Sequence, residues 1–238
     1  MRSLTFAALF CATQVALMIN SNGAAVITKW TFEKGLSFAV LNRTSFSLSA
    51  DIGTGTATGV HASAASDWTS PSGNGSAKSF SSNTWAINDY WQFSIATTGF
   101  EDILLNWSQT SSSDGPGEFK LAYQVNGGGF TDFLSYTVLP NQAAAPGLGD
   151  WSSGAEITGY NFSVDLTALS GLDNAASVDF RLIMRTTDDA TPPGTVAATG
   201  NSRIDNFTVS GTAMVPEPST GLLGLIAAAC LPLRRRRK

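Results

Sequence analysis

The side chains that most often perform catalysis are sparse in this chain of 238 residues. His61 is the only histidine, and it lies among glycine, alanine and serine residues with no acidic residue at a fixed spacing. A Ser-His-Asp arrangement would therefore need partners that the fold alone brings together. A zinc site lacks a second histidine, and no pair of acidic residues carries a glycoside-hydrolase motif. We expect a protein that is not an enzyme.

Tryptophan is the chain's other chemical resource. Trp68 and Trp151 each follow an aspartate within a segment of small residues, in "SDWTS" and "GDWSS". An indole combines a large apolar surface with one N–H donor, so these two rings are candidates to stack on a sugar. The alternative is that each ring is buried and fills the edge of the fold from the inside. Trp91 and Trp107 lie on the apolar side of alternating segments, and we expect them in the core.

Most of the chain alternates apolar and polar residues with the period of a β-strand. The alternating segments are YWQFSI, DILLNW, EFKLAYQV, NFSVDL, VDFRLIM and DNFTV. Period two is typical of a strand with one buried face. Asn126-Gly127, in "VNGGGF", predicts a hairpin between the strands on either side of it.

Many short strands without a fixed internal repeat argue against a β-helix or a propeller. We predict an all-β fold: a single antiparallel β-sandwich of jelly-roll type over residues 26–213. The small-residue stretches Ala50–Trp68 and Leu139–Glu156 are predicted to be long loops, where a binding edge would lie.

The charge of the central region excludes one class of partner. Residues 24–213 contain eight basic and seventeen acidic residues, a formal net charge of −9. Nucleic-acid binding calls for a basic patch, so we expect no nucleic acid as partner. The two cysteines, Cys11 and Cys230, fall in the terminal segments. The domain between them must therefore be held by burial alone, for which about 190 residues suffice.

Residues 1–25 are typical of a secretory signal peptide. One cation, Arg2, precedes an apolar stretch over Leu4–Ile19, and the small residues Gly23 and Ala25 follow at cleavage spacing. This pattern predicts export through the Sec translocon and removal of the segment by signal peptidase.

The segment 214–238 combines three features. Pro216, Glu217 and Pro218 precede a thirteen-residue apolar run, Gly221–Leu233, and five cations follow it: Arg234, Arg235, Arg236, Arg237 and Lys238. The prolines favour extended backbone around the motif. As a helix the run would reach roughly 20 Å, less than the bilayer core of about 30 Å. It predicts a short, weak transmembrane helix whose cations act as a cytoplasmic anchor.

These features, in this order, closely resemble the PEP-CTERM sorting signal of Gram-negative bacteria. The resemblance covers about the last twenty-five residues. It implies recognition by an exosortase, a membrane transpeptidase that cuts near Pro216-Glu217-Pro218. The precursor would be anchored in the inner membrane, and the product would reach the cell envelope or the extracellular matrix.

A second resemblance concerns the two ends of the predicted domain. "WTFEKG" (Trp30–Gly35) and "RIDNFTVSG" (Arg203–Gly211) are similar to the first and last strands of jelly-roll carbohydrate-binding modules. The resemblance implies that the ends lie side by side and share a structural Ca²⁺, with Glu33 and Asp205 as carboxylate ligands. The alternative makes Glu33 a solvated strand residue and Asp205 a turn cap.

Two functions from different classes fit these patterns. The first is an exported, non-enzymatic envelope or matrix protein that is sorted through its tail. The second is a carbohydrate-binding module that acts on extracellular polysaccharide.

Overall fold

The computed structural model describes residues 23–34, 36, 39–142 and 148–214. Residues 1–22 of the predicted signal peptide lie outside this range, as do Pro216, Glu217, Pro218, the apolar run and the terminal cations. The first strand already begins at Ala25, the last residue of the predicted signal peptide. Within the described ranges, no helix has the length and apolar character needed to cross a membrane.

Strands dominate the described chain, and its only helices there are two single turns of 3₁₀ helix, Thr158–Tyr160 and Ser170–Leu172. The strands are Ala25–Trp30 (β1), Ser45–Ser49 (β2), Thr56–Val60 (β3), Trp68–Thr69 (β4), Phe80–Ser82 (β5), Tyr90–Ile95 (β6), Phe100–Ser111 (β7), Glu118–Val125 (β8), Thr131–Thr137 (β9), Asn161–Asp165 (β10), Val178–Met184 (β11) and Ser202–Ala213 (β12). The predicted all-β class is confirmed.

The strands form two six-stranded sheets. The first has the order β10-β7-β12-β5-β4, and β1 pairs with β12 beyond the end of β5. The second has the order β2-β3-β6-β11-β8-β9. All of these strand pairs are antiparallel. From β5 to β12 the chain crosses repeatedly between the two sheets, and only β8 and β9 follow each other within the same sheet.

The alternation in the sequence explains which side of each strand is buried. In β6, Trp91 and Phe93 are 1% and 0% exposed, whereas Tyr90 and Gln92 are partly exposed. In β11, which lies between β6 and β8, Phe180 and its alternate neighbours are buried in the same way. In β6 and over most of β11, one side of the strand therefore builds the core, and the other side faces outward.

Aromatic rings join the two sheets. Phe93 of the second sheet stacks on Phe207 of the first, with ring centroids 3.4 Å apart and an interplanar angle of 1°. The edge of Trp30 contacts both rings, at 5.2 Å from Phe93 and 6.0 Å from Phe207. Such pairs stabilise by about 0.5–1.5 kcal/mol beyond the burial of their area.

The hairpin predicted at Asn126-Gly127 is confirmed. Both residues have positive φ, 48° and 74°, and the N–H of Gly128 donates to the carbonyl of Val125 at 3.0 Å. This is the geometry of a type I′ turn, which suits the twist of the antiparallel pair β8–β9.

The loop predicted over Ala50–Trp68 is wrong in its middle, where β3 forms. Its small residues reflect close packing: a Cβ on Gly59 would lie 2.1 Å from the Trp68 ring and 2.8 Å from the Trp91 ring. Only glycine leaves room for both indoles. The described part of Leu139–Glu156 contains no strand.

The Phe93–Phe207 stack generates a stability prediction. Phe93→Ala should lower the free energy of unfolding by about 3–5 kcal/mol, because it removes a fully buried ring and leaves a cavity. Phe133, 39% exposed on β9, is the matched control, and Phe133→Ala should cost less than about 0.5 kcal/mol. Urea unfolding of both variants measures the difference, and equal losses would contradict the role assigned to the stack.

Candidate functional site

The outer face of the second sheet presents one row of side chains from all six of its strands. The strand registers give this central row: Ser47, Thr58, Gln92, Arg181, Ala122 and Asp132. The next outward-pointing row is Ser45, Val60, Tyr90, Ile183, Lys120 and Ser135. Both rows alternate with core residues, so they point away from the sandwich interior.

Arg181 is at the centre of this face, and its guanidinium is held between two aromatic rings. Its central carbon lies 4.0 Å from the centroid of Tyr90 and 3.7 Å from that of Phe130. Its Nε donates to Oε1 of Gln92 at 2.7 Å. No carboxylate of the described residues lies within 4.0 Å of the guanidinium nitrogens. Cation–π contacts and one hydrogen bond therefore fix the group, and its other N–H donors remain available.

Polar pairs surround the clamped arginine. Nε2 of Gln92 donates to Oγ of Ser94 at 3.1 Å, and Nζ of Lys120 donates to Asp132 at 2.8 Å. Aromatic rings beside oriented amides, hydroxyls and charges can recognise a ligand that has both apolar faces and hydroxyl groups.

Trp68 and Trp151, predicted to stack on sugar, lie inside the protein. They are 0% and 5% exposed. The indole N–H of Trp68 donates to the carbonyl of Arg43 at 3.0 Å, and that of Trp151 donates to the carbonyl of Ser72 at 2.8 Å. Neither ring offers a face to a ligand, so the sugar-stacking prediction is corrected. The alternative, rings that close the fold from within, agrees with their burial.

The ends of the domain do lie side by side, as the second resemblance implied. Strand β1 pairs with β12 from Ala25↔Gly211 to Trp30↔Phe207. Asp205 is 0% exposed, and burial raises the pKa of its carboxyl from 3.8 to about 6, with the charge of Glu33 adding to the increase. The two carboxylates are therefore close enough to interact.

The surroundings of Asp205 do not fit a calcium ion. Its Oδ2 accepts from the N–H of Asn74 at 2.9 Å and from Oγ of Ser76 at 2.7 Å, and its Oδ1 accepts from the N–H of Asn206 at 2.7 Å. Glu33 in turn accepts from a backbone N–H. Calcium needs about six to eight oxygen ligands, whereas these neighbours are hydrogen donors. Across the described chain, no three His, Cys, Asp or Glu side chains are grouped to hold a metal.

The fold does bring serine and aspartate to His61, which no local motif indicated. Oγ of Ser82 lies 3.2 Å from Nε2, and Oδ2 of Asp89 lies 3.7 Å from Nδ1. However, His61 is 3% exposed and Ser82 is 1% exposed, and the rings of Trp68 and Trp85 cover the imidazole at 4.8 and 4.3 Å. A substrate has no access to this cluster. Burial lowers the pKa of His61 from 6.5 to about 3, so the ring is a neutral packing element.

The clamp around Arg181 was missed at the level of sequence. The alternation of β6 places Tyr90 and Gln92 on its polar side, and that signal was available. The alternation of β11 likewise places Arg181 on the polar side of its strand, between the buried Phe180 and Leu182. Phe130 follows the hairpin without a periodic pattern, so only the folded chain reveals its contact with Arg181.

No protein-family profile and no curated protein matches the chain. Solved structures resemble it distantly. One contains the CBM22-1 and GH10 modules of a Clostridium thermocellum xylanase complexed with xylohexaose: 11% identity, TM-score 0.44, covering 82% of this chain and 30% of that one. A cleaved adhesin domain of Lys-gingipain from Porphyromonas gingivalis shows 14% identity and a TM-score of 0.38, with 78% and 98% covered. TmCBM61 in complex with β-1,4-galactotriose shows 12% identity and a TM-score of 0.31, with 75% and 92% covered. These likenesses are too distant to assign a family, a ligand or an activity.

The buried ionisable groups predict opposing effects of acid on stability. Below pH 6.5 the unfolded chain protonates His61 while the folded chain does so only near pH 3, so acid lowers the free energy of unfolding by about 1.4 kcal/mol per pH unit in that window. Asp205 protonates near pH 6 when folded and near 3.8 when unfolded, so acid raises the free energy of unfolding between those values. The two effects therefore oppose each other between pH 3.8 and pH 6, and burial also raises the pKa of Asp89, which adds to the effect of Asp205.

Urea unfolding of His61→Gln at several pH values tests this balance. Without the histidine, the free energy of unfolding should rise as the pH falls from 6 toward 3.8. The same pH profile in the variant and the wild type would contradict the burial assigned to His61.

Proposed function

We propose that this protein is an exported, non-enzymatic component of the cell envelope or extracellular matrix whose β-sandwich binds polysaccharide. The outer face of the second sheet is the proposed binding surface. One observation carries the proposal: Arg181 is clamped between Tyr90 and Phe130 on the outer face of the second sheet, beside the amide of Gln92 and the hydroxyl of Ser94.

The clamp suits sugar recognition because its donors are oriented before the ligand arrives. A pyranose has apolar C–H surfaces and a rim of hydroxyls, and it binds best where aromatic surface adjoins fixed polar groups. Gln92 and the two rings hold the guanidinium, so little side-chain entropy is lost on binding. The net charge of −9 over residues 24–213 disfavours polyanionic glycans.

The dimensions of the face favour a chain over a single sugar. Six strands spaced about 4.8 Å apart give a width of about 24 Å. A surface this open contacts an extended oligosaccharide along its length and leaves both ends of the glycan free.

Substitution of the clamp tests the proposal. Arg181→Ala and Tyr90→Ala should each weaken binding about tenfold or more, because each removes donors or apolar surface from the centre of the face. Arg185→Ala is the control: Arg185 lies just past β11, 3.8 Å from Glu118, and its loss should leave affinity unchanged. Glycan-array screening of the full chain, followed by calorimetry on the best glycan, measures the effect. No glycan bound by the wild type, or equal loss in all three variants, would overturn the proposal.

The route to the envelope forms the other half of the proposal. It is supported by the order of Pro216-Glu217-Pro218, Gly221–Leu233 and Arg234–Lys238. The residue before each proline favours extended backbone, so the motif can bind to a processing enzyme as an extended peptide. The five cations oppose translocation of the C-terminal end of the precursor across the membrane.

Replacement of both prolines tests the sorting route. In Pro216→Ala with Pro218→Ala, helix can propagate backward from the apolar run because the restraint on φ is removed. The exosortase then loses its extended substrate, and the precursor should accumulate in the inner membrane. Cell fractionation and blotting for the tail reveal this. If the double variant reaches the surface like the wild type, the motif is an ordinary linker.

A further inference from the structure

The outer face of the first sheet carries a repeated triplet that the proposed function does not use. Three strands each contain asparagine, an aromatic residue, and serine or threonine: Asn161-Phe162-Ser163 in β10, Asn106-Trp107-Ser108 in β7 and Asn206-Phe207-Thr208 in β12. These strands are neighbours in the order β10-β7-β12. The repetition is therefore spatial as well as sequential.

Strand register places the polar members of the triplets beside one another. Asn161 lies opposite Ser108, and Asn106 lies opposite Ser163 on one side and Thr208 on the other. The aromatic members turn inward, with Trp107 and Phe207 2% and 0% exposed. The polar members line a cavity of about 370 Å³ together with Lys29 and Glu156. We call this cavity the amide groove. Its volume is within the range of about 300–1,000 Å³ for small-molecule sites.

One wall of the amide groove is fixed by hydrogen bonds. Oδ1 of Asn161 accepts from Oγ of Ser108 at 2.7 Å and from Nδ2 of the buried Asn74 at 3.1 Å. Nδ2 of Asn161 donates to Oε1 of Glu156 at 2.5 Å. These contacts hold the Asn161 amide in one orientation, so this wall is built before any ligand binds.

The other wall consists of polar groups without protein partners. Within the described part of the chain, the side chains of Lys29, Asn106, Ser163 and Asn206 take part in no hydrogen bond or ion pair. Each amide offers a donor and an acceptor, and each hydroxyl offers both. These groups are free to bind a ligand in the cavity.

We propose that the amide groove is a second carbohydrate site, which binds a neutral sugar of one or two rings. Alternating amide donors, amide acceptors and hydroxyls match the vicinal hydroxyls of a pyranose. The ammonium of Lys29 and the carboxylate of Glu156 have opposite charges, so the groove gives a charged ligand no net electrostatic stabilisation. The groove belongs to the first sheet and the Arg181 clamp to the second. One molecule can therefore hold two glycan chains and link them, with the gain in avidity that two tethered sites give.

Side-chain amide resonances give a direct test on the ¹⁵N-labelled full chain. The probes are cellobiose, maltose, xylobiose and mannobiose. At least one should shift the side-chain amide signals of Asn106 and Asn206. Asn106→Ala and Lys29→Met should raise the dissociation constant of that disaccharide about fivefold, because each removes one hydrogen-bonding group. The control is Asn42→Gly, at an exposed position with φ 53°, where glycine keeps the backbone relaxed, and it should bind as the wild type does.

The outcomes separate this site from the one around Arg181. Groove signals that still shift in Arg181→Ala support two independent sites. If none of the four probes shifts the Asn106 and Asn206 amides, the groove is an ordinary solvated face and the inference fails. Shifts that Arg181→Ala abolishes together with all other binding assign everything to the second sheet, and again the groove inference fails while the proposed function stands.

Discussion

Contact between the two sheets is the interaction on which the rest of this structure depends. No cysteine occurs in residues 24–213, so the sandwich must be held by burial. The Phe93–Phe207 stack and the edge of Trp30 lie where the sheets meet. Trp68, Phe80 and Trp91 continue this aromatic packing, with centroids 4.8–5.8 Å apart. Both outer faces owe their positions to this interior, since a strand that turns an aromatic ring inward must turn its neighbours outward.

This coupling explains what could be predicted from the sequence. Period two is a local property, so the strands around Trp91, Phe119 and Phe180 and the polar position of Arg181 followed from the letters alone. Neighbours across a face are not local. Phe130 and Arg181 are brought together only by the order of strands β8, β9 and β11, and the three asparagine triplets align only because β10, β7 and β12 are adjacent. In the sequence alone, these three triplets cannot be distinguished from triplets that arise by chance in a chain rich in Asn and Ser.

The errors have a common physical origin. Trp68 and Trp151 were expected to present their rings to a sugar because small polar residues surround them, yet composition does not tell whether a side chain folds back into the protein. Carbonyl acceptors inside the protein satisfy both indole N–H groups, which removes the penalty for their burial. The stretch around Gly59 was predicted to be a loop because its side chains are small. In the folded chain, the rings of Trp68 and Trp91 occupy the space that a side chain at Gly59 would need. The carboxylate of Asp205 is likewise satisfied by donors from a loop about 130 residues away.

The long closing strand has a mechanical consequence. β12 pairs with β7 from Ser202↔Ser111 to Ala213↔Phe100, and the same strand also holds β1 and β5. Tension applied at Met214 would run along the axis of β12, while a load on either face would be borne by the strands bonded to it. Tension along β12 loads its hydrogen bonds to β7, β1 and β5 in shear. These hydrogen bonds therefore resist the force together and do not open one after another.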